Sequence, residues 1–162
     1  MATMGHVVVG VDETPEATIA LVRAAEEASS RGVHLTAVLA WDYLSQHHAE
    51  PTEDFDPRYG EADARQALDE IIDRALGRDL SVPVERRVVC DLPAQALIEA
   101  AGDADLLVVG CRDLHGLRHA FSRSVSTRCR RHRPCPMLIV HSDGRSEAIA
   151  LDAPSHGAPA DA

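Results

Sequence analysis

Four consecutive apolar residues, Leu106 to Val109, stand between Asp105 and Gly110 and constrain the chain more than any other stretch. A run this short and this continuous suits a strand buried on both faces, as in a parallel sheet. Behind it come a polar segment with Gly110, Asp113 and Gly116, then Ser122, Ser124 and Ser126 leading into an Arg-rich stretch with helical spacing. A strand, a glycine-bearing loop and a Ser-rich helix start make a plausible phosphate cradle. Backbone N–H groups and the helix dipole would converge on one anion.

The rest of the chain repeats the strand-then-helix theme. His6 to Val11 reads as a buried strand ending at Asp12. Thr14 and Pro15 supply an N-cap and a first helical residue for a helix that stops near Gly32. Val33 to Trp41 is a second strand, and Tyr59 to Gly77 a second amphipathic helix. Val82 to Val89 is a third strand, in which Arg86 breaks the apolar alternation as suits a sheet edge. A short helix opens at Pro93, and a last helix runs from Ser124 to His132. Pro136 to His141 is the fifth strand. Strands alternating with helices predict an α/β fold with a mostly parallel sheet and helices on both faces. Ligands of such sheets bind beyond the carboxyl ends of the strands, where Asp12 and Gly110 both fall. From Ser142 onward no apolar periodicity is left, which predicts a disordered tail over 142–162.

Charge and composition narrow the partners. The formal net charge is −10, which argues against nucleic-acid and anionic-membrane binding. Arg112 to Arg133 is the exception, with seven Arg and three His against Asp113 alone. It reads either as an anion-facing patch or as a solvated helix face. No apolar run reaches the length of a membrane span, and a cytoplasmic location is expected. Cys90, Cys111, Cys129 and Cys135 contain no C-x-x-C pair. The first, second and fourth fall at strand ends and read as small buried residues, with partial exposure near a site as the other reading of Cys111, which follows Gly110. The loop 43–57, with His47, His48, Glu50, Glu53, Asp54 and Asp56, lacks ligand spacing on a rigid element and reads as a solvated acidic loop rather than a metal site. His115 and His119 likewise read as surface residues. No nucleophile elbow, Walker loop or zincin helix occurs, so no catalytic residue is assigned.

The segments Val-Val-Val-Gly-Val-Asp12, Leu39 to Asp42, Pro93 to Leu97, Ala104 to Gly110, Ser124 to Ser126 and Arg133 to Val140, in this order and spacing, resemble the universal stress protein family from about His6 to His141. The resemblance implies one such domain over 1–141. It further implies a flavodoxin-like, five-stranded parallel sheet of order 3-2-1-4-5, of the adenine-nucleotide-hydrolase-like kind, and a homodimer through the last strand, Met137 to Val140. Family members divide into ATP binders and non-binders, and the binders share a loop of the form G-x2-G-x9-G-[ST]. Laid on this chain, the loop places Gly110 first and Ser124 last, with Asp113 and Arg123 where the second and third glycines would stand. Carried over position by position, the nucleotide would meet Asp12 and Ala40 on one side. Val109, Gly110 and Arg112 would form the phosphate wall, and Ser124, Val125 and Ser126 the helix start.

Two readings follow. In one, Asp113 and Arg123 pair and close the loop, leaving a degenerate or weak site on a stress-response regulator that works through contacts with another protein. Alternatively Arg123 replaces a glycine as a direct phosphate ligand, and the chain binds ATP with Mg2+ and hydrolyses it slowly at most. Each residue also has a plain structural role: Asp12 as a helix cap, the serines as N-cap residues.

Overall fold

The computed structural model describes residues 4–41, 60–111 and 120–151, with backbone alone for 120–124. The described strands are β1 (His6–Gly10), β2 (His34–Trp41), β3 (Val84–Cys90), β4 (Leu106–Cys111), β5 (Met137–His141) and β6 (Ser146–Ile149). The helices are α1 (Pro15–Arg31), α2 (Glu61–Leu76), α3 (Pro93–Ala100) and α4 (Ala120–His132). They build a sheet of order β3-β2-β1-β4-β5-β6. The first five strands are parallel, and β6 runs antiparallel to β5.

The unbroken apolar runs are explained by what covers each face. Val7 and Val9 of β1, with Leu35, Ala37 and Leu39 of β2 and Leu106 and Val108 of β4, face α1 and α2. There they meet Ala20, Leu21 and Ala24 of α1 and Leu68 and Ile72 of α2. Val8, Val38, Leu107, Val109 and Met137 point the other way, onto Ala94, Leu97 and Ala100 of α3 and Cys129 of α4. Period-two alternation between two apolar layers makes the central strands almost wholly apolar, with His6 of β1 and Thr36 of β2 as buried polar exceptions.

Helix α1 begins where the sequence marks it. Thr14 accepts a hydrogen bond from the Ala17 N–H at 3.3 Å, and Pro15 is the first helical residue. Gly32 ends it in the left-handed conformation at φ 65°, which a glycine adopts without a Cβ clash. β3 is an edge strand, as the break at Arg86 predicts. Arg86 reaches Asp69 at 3.3 Å and Asp73 at 4.0 Å on α2, so a cation in an apolar pattern has an ionic partner.

Three expectations are corrected. The tail is not without structure from Ser142, because Ser146–Ile149 form β6. The turn explains it: Gly144 holds φ 85°, Asp143 accepts from the Arg145 N–H at 2.9 Å, and the His141 N–H donates to the Arg145 carbonyl at 2.8 Å. Asp-Gly is a strong hairpin signal that outweighs the weak apolar pattern after it. The sheet therefore has six strands, and β5 is not its edge. The last helix opens at Ala120 rather than Ser124. Lastly, Cys90 is exposed rather than buried, at the end of an edge strand, whereas Cys111 is half-buried, in line with its second reading.

Candidate functional site: the crevice between β1 and β4

The winding direction reverses between β1 and β4, which are direct neighbours. Their carboxyl ends therefore flank the crevice where ligands of open α/β sheets bind. Asp12 stands just past the end of β1. Its Oδ1 accepts from the Thr14 N–H at 2.8 Å and from the Thr14 hydroxyl, so Asp12 ties down the turn that launches α1. The carboxylate is solvent-exposed, and the capping role leaves it accessible.

Gly110, near the end of β4, has a packing reason of its own. A Cβ there would lie 2.9 Å from the Glu16 carbonyl oxygen and 3.2 Å from the Ala17 nitrogen. The first turn of α1 thus crosses directly over Gly110. The residue is not among those with positive φ, so close approach, not backbone conformation, requires glycine here. Val109 beneath it is a core residue, 4% exposed.

Ala40 presents its backbone to the crevice. On β2 the Leu35 N–H donates to Pro83 and the Trp41 carbonyl accepts from the Asp91 N–H, so odd residues turn toward β3. Val38 turns toward β1, where its carbonyl accepts from the Val11 N–H at 2.9 Å. Alternation turns the N–H and C=O of Ala40 the same way, into the crevice mouth where the chain leaves β1 for α1. A backbone donor and acceptor side by side can read the edge of a heteroaromatic base whatever the side chain. Two strand spacings, ~10 Å, separate β2 from β4, the reach of an extended nucleoside phosphate.

The β4–α4 wall differs from expectation. With α4 starting at Ala120, Ser124, Val125 and Ser126 lie one turn inside the helix. Only the first four N–H groups of a helix lack an internal acceptor. The free set ends at Ser122, so the amides of Arg123 to Ser126 belong to the helical ladder, just as the fourth residue of α1, Thr18, donates its N–H to the carbonyl of the capping Thr14. The Ser126 side chain is buried, with its hydroxyl 3.9 Å from the Cys111 sulfur at the end of β4. Val125 is half-buried against the α3–α4 core. Arg112 and Asp113 lie outside the described residues, as do His115, His119 and the loop 43–57, and the Arg123 and Ser124 side chains are not described.

Below the crevice, burial pushes the Cys129 and Cys135 thiols up to about 11, and each is a packing residue rather than a nucleophile. Among the described residues no group of three or more His, Cys, Asp or Glu could hold a metal ion. None of the described helices is long and apolar enough to cross a membrane. The sequence did not single out Glu16, whose carbonyl fixes Gly110, or the contact of Cys111 with Ser126. Only the position of Glu16 in the first turn of α1 hinted at its place.

The sequence model of the universal stress protein family matches residues 4–141. The chain belongs to the universal stress protein family. A universal stress protein of Mycobacterium tuberculosis H37Rv is 36% identical over 137 residues, covering 83% of this chain and 44% of the relative. One from Mycolicibacterium smegmatis is 33% identical over 135 residues, covering 83% and 45%. The chain therefore spans less than half the length of these curated relatives. Among solved structures, a universal stress protein in complex with cAMP superposes at TM-score 0.62 with 27% identity, over 87% of this chain and 99% of that one. UspA from Lactobacillus plantarum superposes at TM-score 0.63 with 22% identity, over 86% and 99%, a likeness of fold alone.

Proposed function

We propose that this universal stress protein is a cytoplasmic stress-response regulator that acts through contacts with another protein and whose crevice takes adenine nucleotides weakly. The backbone of Ala40, turned into the crevice mouth, carries the nucleotide part of the reading, because it offers base recognition that no side-chain change removes. The family relative complexed with cAMP supports the same ligand class. The described residues fit the base and sugar half of a nucleotide, with Ala40 toward the base and the exposed Asp12 toward the ribose.

The phosphate half is where affinity is lost. Two glycines of the loop pattern are replaced, by Asp113 and Arg123. A carboxylate beside phosphate is repulsive, and a side chain at a glycine position holds the backbone off the anion. Ser124 to Ser126 offer no free helix-terminal amides to offset this. Turnover is absent or limited to slow ATP hydrolysis. The alternative, an ATP binder with Mg2+ in which Arg123 holds the phosphates, rests on the position of Arg123 in the first turn of α4, because a guanidinium pairs directly with phosphate.

Release of small molecules from purified protein by denaturation, followed by mass spectrometry, separates the two. Weak binding predicts nucleotide far below one equivalent. One equivalent of adenine nucleotide would establish the alternative.

A further inference from the structure

The two outermost strands beyond β4 are unlike each other. β5, Met-Leu-Ile-Val-His141, has four of its five residues buried, and apolar contacts cover both of its faces. Left as an edge, such a strand would invite pairing with another chain. β6, Ser-Glu-Ala-Ile149, has three of its four residues exposed. Its register, Met137 with Ile149 through Val140 with Ser146, covers β5 from Met137 to Val140. Beyond the ladder, Glu147 pairs with Arg130 of α4 at 2.7 Å, with both side chains about half exposed. A bridge so exposed contributes little. A short polar strand thus covers a strongly apolar edge.

We infer that β6 occupies the place of a second copy of this chain, so that pairing of two chains through Met137 to Val140 follows only when β6 is released. The backbone groups on the outer edge of β5 cannot serve β6 and a second β5 together. The inference is independent of the nucleotide reading.

The register supplies a matched pair of variants. The His141 N–H bonds to Arg145. Stepping by two along an antiparallel pair, Ile139 with Glu147 and Met137 with Ile149 are also hydrogen-bonded pairs. The Glu147 N–H therefore points into β5 and the Ala148 N–H points away. Glu147→Pro removes a ladder bond and the contact with Arg130. Ala148→Pro removes only an outward N–H, a position where edge strands tolerate proline.

Sedimentation of the full-length protein across a concentration series decides the matter. The expected result is a monomeric parent, a monomeric Ala148→Pro variant, and a Glu147→Pro variant whose self-association is at least tenfold tighter than the parent's. Glu147→Arg, which keeps the backbone bond, should shift the same way by less and stands in if the proline variant fails to fold. In the variant dimer the Ile139 amide should stay protected from hydrogen exchange, because a second β5 replaces β6. A parent dimer that Ala148→Pro dissociates would make β6 itself the interface and overturn the inference. So would a parent dimer indifferent to all three variants, or folded Glu147 variants that remain monomeric.

Discussion

On the β1–β2 side of the crevice, each described residue at the mouth has an identifiable task. Asp12 fixes the start of α1 through Thr14, and Ala40 turns a backbone donor and acceptor toward the opening. On the β4–α4 side, Gly110 is held by the passage of α1, and Ser126 is turned inward to Cys111. The three serines that looked like a helix start lie within the helix. The first wall keeps features usable by a ligand. The described residues of the second keep features that packing demands. A glycine shared with a ligand-binding loop is therefore weak evidence for the ligand when a helix backbone lies 2.9 Å from its missing Cβ.

The sharpest way to break this comparison is Gly110→Val. If packing fixes the glycine, the variant loses about 1–3 kcal/mol of stability, read as a melting temperature lower by roughly 2–4 °C per kcal/mol. A melt that matches the parent's would show that α1 can draw back and that the glycine is not required for packing. A smaller effect is expected at the other wall. Asp12→Ala removes the acceptor for the Thr14 N–H and hydroxyl and should cost about 1 kcal/mol, within the range of a lost helix cap. Chemical denaturation of the nucleotide-free protein checks it. Unchanged stability would leave Asp12 without a structural task and make ligand contact its main role.

Much of this fold is legible in the residues. The apolar runs His6 to Val11 and Leu106 to Val109 read as two-sided strands, and Thr14, Pro15 and Gly32 mark the ends of α1 by simple conformational rules. Gly110 and Asp12 were legible as crevice residues because strand ends are. What failed had physical causes. β6 is written in a turn, Asp143-Gly144, not in hydrophobic periodicity, because a strand that mainly covers an edge needs little apolar surface. The start of α4 was misplaced because Ser122, Ser124 and Ser126 are good N-cap residues, and cap preference is local whereas the helix start is set by the wider chain. The role of Gly110 in packing could not be read from the sequence, since the contact joins residues 16 and 110.

The central claim is that the two loop substitutions, rather than the scaffold, weaken the nucleotide site. Isothermal titration of ATP into the parent protein and into the double variant Asp113→Gly, Arg123→Gly tests it most directly. The account predicts at least a tenfold gain in affinity for the double variant, about 1.4 kcal/mol. Equal affinity in the two proteins, or tighter binding by the parent, would contradict it and leave Arg123 as a phosphate ligand.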